Sequence, residues 1–249
     1  MIRFFDVNCR IGAGPADPAG SIRGRDALLA LMDDFRVEKA VVFHSVAQYS
    51  DPVLGNGLLL QETADEPRFL RQWAVLPALW DLYPKPGEWL ARMKENGVCS
   101  VRLFPKQYGH SLKRYACGEL LDALAEARLP AFIAPDQLSS WDALYDLCTD
   151  YPAGRFVLCS PGYRCLRYLV PILDNCPNLF VETSNLLMHD GLSDLCRYGY
   201  GARLLFGSGV PEASLAAAAS QLLLSDLSET EKQMIAADNA EKLLSEVAL

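Results

Sequence analysis

The sequence predicts an α/β fold built as a single (β/α)8 TIM barrel, and three observations carry that expectation. Short apolar runs alternate with segments of helical period from one end of the chain to the other. Eight runs have strand character. The length, 249 residues, is close to the ~250 that such barrels usually occupy. Strict alternation calls for parallel strands joined by right-handed crossovers, and eight such units close into a barrel more naturally than they extend as an open sheet. One domain spanning 1–249 is expected, with no internal boundary.

In order, strands are expected at 3–7, 40–44, 72–76, 100–104, 131–134, 156–159, 179–183 and 203–206. Each is rich in β-branched, aromatic or leucine residues and ends near Gly, Pro, Asn or Ser. Between them, Leu28, Met32 and Phe35 share one helical face, as do Leu120, Leu121 and Leu124. Pro86 is placed to open a helix over 88–95 that Gly97 can close. Ser139 or Ser140 is placed to cap the helix that begins near Trp141. Ser228 and Glu231 form a capping box before the last helix. The turn Gly12-Ala13-Gly14-Pro15 follows the first strand, and its proline excludes a dinucleotide-binding loop.

Composition narrows the function classes. A net charge of −8 with scattered basic residues argues against nucleic acid or an anionic membrane as partner. No stretch reaches the roughly 18 consecutive apolar residues of a membrane span, and the start, Ile2-Arg3-Phe4-Phe5-Asp6, reads as a strand rather than a signal peptide. Eight cysteines lie mostly inside apolar patterns without a CxxC pair. They are expected as free, buried thiols in a reducing cytoplasm.

Several segments resemble the amidohydrolase superfamily, in its amidohydrolase-related, decarboxylase-like branch. Asp6-Val7-Asn8-Cys9-Arg10-Ile11-Gly12 lies in the frame of that family's D-x-H-x-H-x-G. Asp51-Pro52 with Gly55-Asn56 resembles its D-P-x-x-G-N loop, and Val101-Arg102-Leu103-Phe104-Pro105 its V-K/R-L-x-P strand. Phe156-Val157-Leu158-Cys159-Ser160-Pro161-Gly162 fits F-x-L-x-H-x-G, and Pro177 to Ser184 fits P-N-x-Y-x-D-T-S. Leu205 to Pro211 fits L-F-G-S-D-x-P, and Asn239-Ala240 matches a late N-A pair. The resemblance implies a divalent cation held by histidines after strands one, five and six and by an aspartate after strand eight. Those positions hold Asn8, Arg10, Ala134, Ser160 and Gly209, none an imidazole or carboxylate ligand. With three histidines in the whole chain, no bound metal and no other cofactor is expected. Arg10 is expected to put a fixed positive charge where the cation would sit, with Asp6 or Glu182 orienting it.

The barrel topology directs attention to strand C-termini. His44 ends the second strand and is a candidate general base, against the plainer reading of a loop cap. Arg102 and Glu182, set among apolar neighbours, read as an ion pair bracing the barrel, or Arg102 as a grip for an anion. Lys106 is a candidate carboxylate ligand, base or Schiff-base nucleophile, against a solvated loop lysine. Asp136 with Gln137 can bond a polar substrate. Ser160 and Ser208 sit at or beside the family's metal positions but in no G-x-S-x-G elbow and with no histidine partner. Asp6, His44 and Lys106 are thus the expected catalytic groups; Asn8, Arg10, Arg102, Asp136, Ser160, Glu182 and Ser208 are the expected ligand contacts. Tyr163, Arg164 and Arg167 after strand six are candidates to bind an anion, against the ordinary reading of a solvent-exposed helix start. The expected function is a metal-independent hydrolase or lyase for a small anionic or carbonyl ligand. The alternatives are a ligand- or partner-binding descendant without activity and a metal hydrolase with substitute ligands. Homo-oligomers are expected by resemblance, although no helix face is apolar enough to name an interface.

Overall fold

Eight parallel strands neighbour one another in chain order: β1 (Phe4–Ile11), β2 (Val37–His44), β3 (Phe69–Ala74), β4 (Val98–Arg102), β5 (Pro130–Ile133), β6 (Arg155–Leu158), β7 (Leu179–Glu182) and β8 (Leu204–Leu205). This computed structural model describes residues 2–15 and 17–249. Helices α1 (Arg25–Phe35), α2 (Ser45–Tyr49), α3 (Pro52–Glu62), α4 (Pro86–Glu95), α5 (Arg114–Glu126), α6 (Trp141–Asp150), α7 (Leu166–Asn175) and α8 (Gly191–Arg197) form the crossovers. After β8 come α9 (Leu215–Leu223), α10 (Glu229–Gln233), a π-helical turn (Met234–Asp238) and α11 (Asn239–Ser245). None of the described helices is long and apolar enough to cross a membrane.

Closure between β8 and β1 is made by the segment after β8. The Val7 amide donates to Phe206 O at 3.0 Å, the Arg10 amide to Val210 O at 2.8 Å and the Gly209 amide to Asn8 O at 3.0 Å. The other end is covered by the C-terminal helices, where Arg3 at the start of β1 pairs with Asp238 and Glu241.

Strand boundaries depart from expectation where polar residues are buried. β1 runs to Ile11 rather than 7, and all eight of its residues are buried, Asn8 and Arg10 included. Polarity at those positions marks a buried inward face, not a strand end. Arg203 lies outside β8 in a 3-10 turn, where its guanidinium donates to Leu173 O and Cys176 O. The expected helix starts are present: Pro86 opens α4, Ser140 caps α6 through the Ala143 amide, and Ser228 with Glu231 closes a full capping box.

Three asparagines from the quoted segments clamp backbone between elements. Asn56 donates to Ala74 O at 2.8 Å and accepts from the Ala74 amide at 3.0 Å, fixing α3 to the end of β3. Asn178 donates to Cys148 O and Tyr151 O, both at 3.1 Å, and Asn239 to Gly201 O and Leu204 O. Asp51 caps α3 by accepting from the Leu54 amide at 2.7 Å, with Pro52 at the first helical position. The D-P-x-x-G-N resemblance is therefore a docking device. Gly55 completes it, because a Cβ there would lie 2.0 Å from the Ala47 backbone nitrogen in α2. Gly55→Ala is expected to cost about 1–3 kcal/mol, the usual range for over-packing, read as a lower urea midpoint.

Candidate active site

At the C-terminal end of the barrel a cavity of about 370 Å³ is lined by Asn8, Arg10, Arg102, Asp136, Ser160 and Gly209, together with Phe43, Gln48, Gln137, Asn185 and Glu212. Expected ligand contacts from β1, β4, β5 and β6 thus converge. Directly beneath them lies Glu182, with no exposed surface, at the end of β7.

Glu182 and Arg102 do not form the expected ion pair. Asn8 stands between them: its Nδ2 donates to Glu182 Oε2 at 2.7 Å and its Oδ1 accepts from Arg102 Nη1 at 2.8 Å. Glu182 also accepts from the Ser184 amide, from Ser184 Oγ at 2.8 Å and from the Ser160 amide at 3.1 Å. Burial raises its pKa above the ordinary glutamate value, against the pull of these hydrogen bonds. Gly207 makes room for it, since a Cβ there would lie 2.5 Å from the carboxyl carbon. Arg102 lies over the Phe43 ring at 4.5 Å and has no carboxylate within ion-pair distance among the described residues. Its Nη1 also reaches Gln72 Oε1 at 3.5 Å, while Nε is buried without a partner and Nη2 makes no hydrogen bond to the described residues.

Arg10 is neutralised from an unexpected direction. Neither Asp6 nor Glu182 orients it; instead it pairs with Asp17 of the β1–α1 loop, both side chains almost fully buried, and donates to Gly12 O at 2.8 Å. Glu212 lies 3.4 Å away on the cavity rim. Burial works to raise the Asp17 carboxyl, but the Gly14 amide and Arg10 outweigh it and hold it below the ordinary aspartate range.

The expected catalytic groups do not line this cavity. His44 caps α2, its Nδ1 accepting from the Val46 amide at 3.1 Å with Nε2 3.4 Å from Glu62; burial lowers its pKa more than Glu62 raises it. Lys106 is exposed and lines a separate groove of about 750 Å³ with His110, Lys113, Asp146 and Asp150. Asp6 lies in the barrel interior, accepting from the Asn8 and Ser208 amides, each at 3.0 Å. Ser208 faces an adjacent groove beside Asn185 and Ala213. Tyr163, Arg164 and Arg167 are exposed. Strand-end topology selects one end of the barrel but not the side of a loop that a residue takes. Conversely, Phe43, Asp17 and Ser184 were missed. For Ser184 the signal was present, in the T-S that closes the strand-seven frame.

Among the described residues, no group of three or more His, Cys, Asp or Glu side chains is arranged to hold a metal ion.

Two measurements test these placements. His44→Ala is expected to cost about 1 kcal/mol, the worth of a helix cap, without altering ligand affinity at the mouth in calorimetry. Burial raises the Asp6 pKa against the hydrogen bonds from Ser208 and Asn8, so the folded state holds this proton more tightly than the unfolded. Its contribution to stability is therefore fully present below the ordinary aspartate value of about 4 and declines as pH rises through the raised value. In urea titrations, the stability of wild type relative to Asp6→Asn should fall as pH increases from about 4.

Comparison with known proteins agrees with this architecture. An uncharacterized TIM-barrel protein from Bordetella bronchiseptica superposes with a TM-score of 0.76 at 15% identity, covering 99% of each chain. A 5-carboxyvanillate decarboxylase from Novosphingobium aromaticivorans, with bound manganese, gives 0.76 at 15% identity over 98% of this chain and 96% of its own. A 2,6-dihydroxybenzoate decarboxylase from Rhizobium gives 0.73 at 15% identity over 98% and 99%. No curated protein matches in sequence. The amidohydrolase family model matches residues 10–245, nearly the whole barrel, and the chain belongs to the amidohydrolase family.

Proposed function

We propose that the barrel mouth binds a small carboxylate-bearing molecule on Arg102 and that the chain acts on it as a hydrolase or lyase without a divalent cation. The observation that carries this reading is the free edge of Arg102. Arg102, only 7% exposed and partnered by neutral amides and an aromatic face, leaves a buried Nε and Nη2 without partners among the described residues, beside a cavity. Buried charge without a counter-charge is costly, and a ligand carboxylate supplies both the charge and the bidentate fit. Two structural neighbours are named for acting on carboxylated aromatics, which supports a ligand of this class.

The donor set at the family's metal positions does not fit a cation. Asn8 is committed to Glu182 and Arg102, Arg10 has only donors and is paired with Asp17, Ala134 has only a methyl group, Ser160 Oγ is hydrogen-bonded to Ser184, and Gly209 has no side chain. In this reading Arg102 orients the substrate, while Asn8 holds Arg102 and Glu182 in fixed positions. Eight free thiols accord with our proposal of a cytoplasmic setting.

A second reading, binding without turnover, is favoured by one observation: His44 and Lys106 lie away from the cavity. A panel of carboxylates, lactones and esters, followed by turnover and thermal shift, separates the two. Shift without turnover supports the binder.

Arg102→Met should weaken any carboxylate found in that panel by about 1.5–3 kcal/mol, roughly ten- to 150-fold in calorimetry. Unchanged affinity would remove Arg102 from the site. Protein purified without added metal should carry no stoichiometric zinc, iron or manganese by elemental analysis. About one equivalent, lost on mutating the mouth, would instead establish a metal hydrolase with substitute ligands.

A further inference from the structure

We propose that Ser160 is a nucleophile, activated through Ser184 by Glu182, toward the carbonyl carbon of a carboxylate-bearing ester or lactone. The inference rests on the reading of the mouth as a carboxylate site and adds to it the reacting group and the bond that breaks.

Three side chains form one hydrogen-bonded line from the cavity wall to the barrel interior. Ser160 lines the cavity, and its Oγ lies 2.7 Å from Ser184 Oγ. Ser184, 1% exposed, donates from Oγ to Glu182 Oε2 at 2.8 Å. The direction of the line follows from counting protons. Glu182 receives hydrogen bonds from the Asn8 carboxamide and from the Ser160 and Ser184 amides, none of which can accept in return. These donors favour the carboxylate form, and burial makes that carboxylate a stronger base than an ordinary glutamate. The single Ser184 hydroxyl proton is then committed to Glu182, and Ser160 must donate to Ser184. Ser160 thus has its proton directed along a path that ends on a base, the arrangement that makes a hydroxyl nucleophilic.

Its backbone is a second, independent sign. Ser160 has φ +47°, in the left-handed region that residues with a Cβ seldom adopt. Its amide is simultaneously bonded to Glu182, so the same carboxylate holds the backbone and receives the proton. Strained backbone of this kind is concentrated at functional sites.

Ser160 Oγ bonds to the carbonyl carbon, its proton passes to Ser184 Oγ, and the Ser184 proton passes to Glu182 Oε2. Collapse breaks the acyl C–O bond, and the departing alkoxide takes its proton from Ser184 Oγ, which recovers one from Glu182. Water then attacks the acyl carbon, losing its proton through Ser184 to Glu182, and Ser160 Oγ departs, regaining its proton from Ser184.

The test uses the full chain and a fluorophosphonate probe. Ser160 Oγ displaces fluoride from phosphorus, leaving a phosphonylated serine and a protonated Glu182. Intact mass and peptide mapping should show one phosphonyl group, on Ser160, absent in Ser160→Ala. Labelling should be at least tenfold slower in Ser184→Ala and restored in part by Ser184→Thr, which keeps the hydroxyl. Circular dichroism verifies that each variant is folded. No labelling of folded wild type, or equal rates in wild type and Ser184→Ala, overturns the proposal. If Ser184→Ala does not fold, the Ser184→Thr rate decides: labelling within tenfold of wild type supports the relay, and its loss in a folded variant refutes it. A separate arm compares hydrolysis of 4-acetoxybenzoate with that of phenyl acetate. Preference for the acid that disappears in Arg102→Met supports the carboxylate site. Unchanged preference, with Ser160 still labelled, would overturn the role of Arg102 alone.

Discussion

A carboxylate and a guanidinium are buried in this barrel without touching, and one carboxamide holds them apart. Direct contact between Glu182 and Arg102 would cancel both charges and leave neither with an open face. Asn8 spans the gap by donating to one and accepting from the other. Glu182 is thereby left to the serines of β6 and β7, and Arg102 to the cavity. The continuation of β1 to Ile11 puts Asn8 at the required depth, and Gly207 keeps the opposite side of Glu182 clear. Much of the mouth follows from that single bridge.

The scaffold around the bridge is held by a different set of interactions. Asn56, Asn178 and Asn239 each tie a helix or loop to backbone carbonyls of a neighbouring element, and none of them lines the mouth. These clamps satisfy backbone groups that would otherwise be costly to bury. They need no metal. A barrel held in this way keeps its strands in register independently of the side chains at its mouth, which is why the family's structural segments are readable in the sequence.

The fold was legible because its signal is periodic. Strand and helix alternate with the right spacing, and caps such as Ser140 and Ser228 carry local hydrogen bonds that a short window contains. The site was legible only as far as topology reaches. Asn8, Arg10, Arg102, Asp136 and Ser160 do meet at one cavity, because strand ends must. His44 and Lys106 end strands or begin loops in the same manner, yet the first turns to cap α2 and the second to a neighbouring groove. The direction of a loop side chain depends on packing that no local pattern encodes. The partner of Arg10 escaped for the same reason: Asp17 reaches it through a loop fold, not through strand register.

The rim of the cavity sets a limit on what can enter. Of the two arginines at the mouth, Arg10 is already balanced by Asp17, which leaves one uncompensated positive charge at Arg102. Asp136 and Glu212 line the same space, both more than a third exposed. A ligand with one carboxylate can settle on Arg102 with its neutral end outward, whereas a second carboxylate would meet acidic side chains at the entrance. If the mouth is the carboxylate site proposed above, these charges favour compact monoacids and disfavour diacids by electrostatic repulsion rather than by shape.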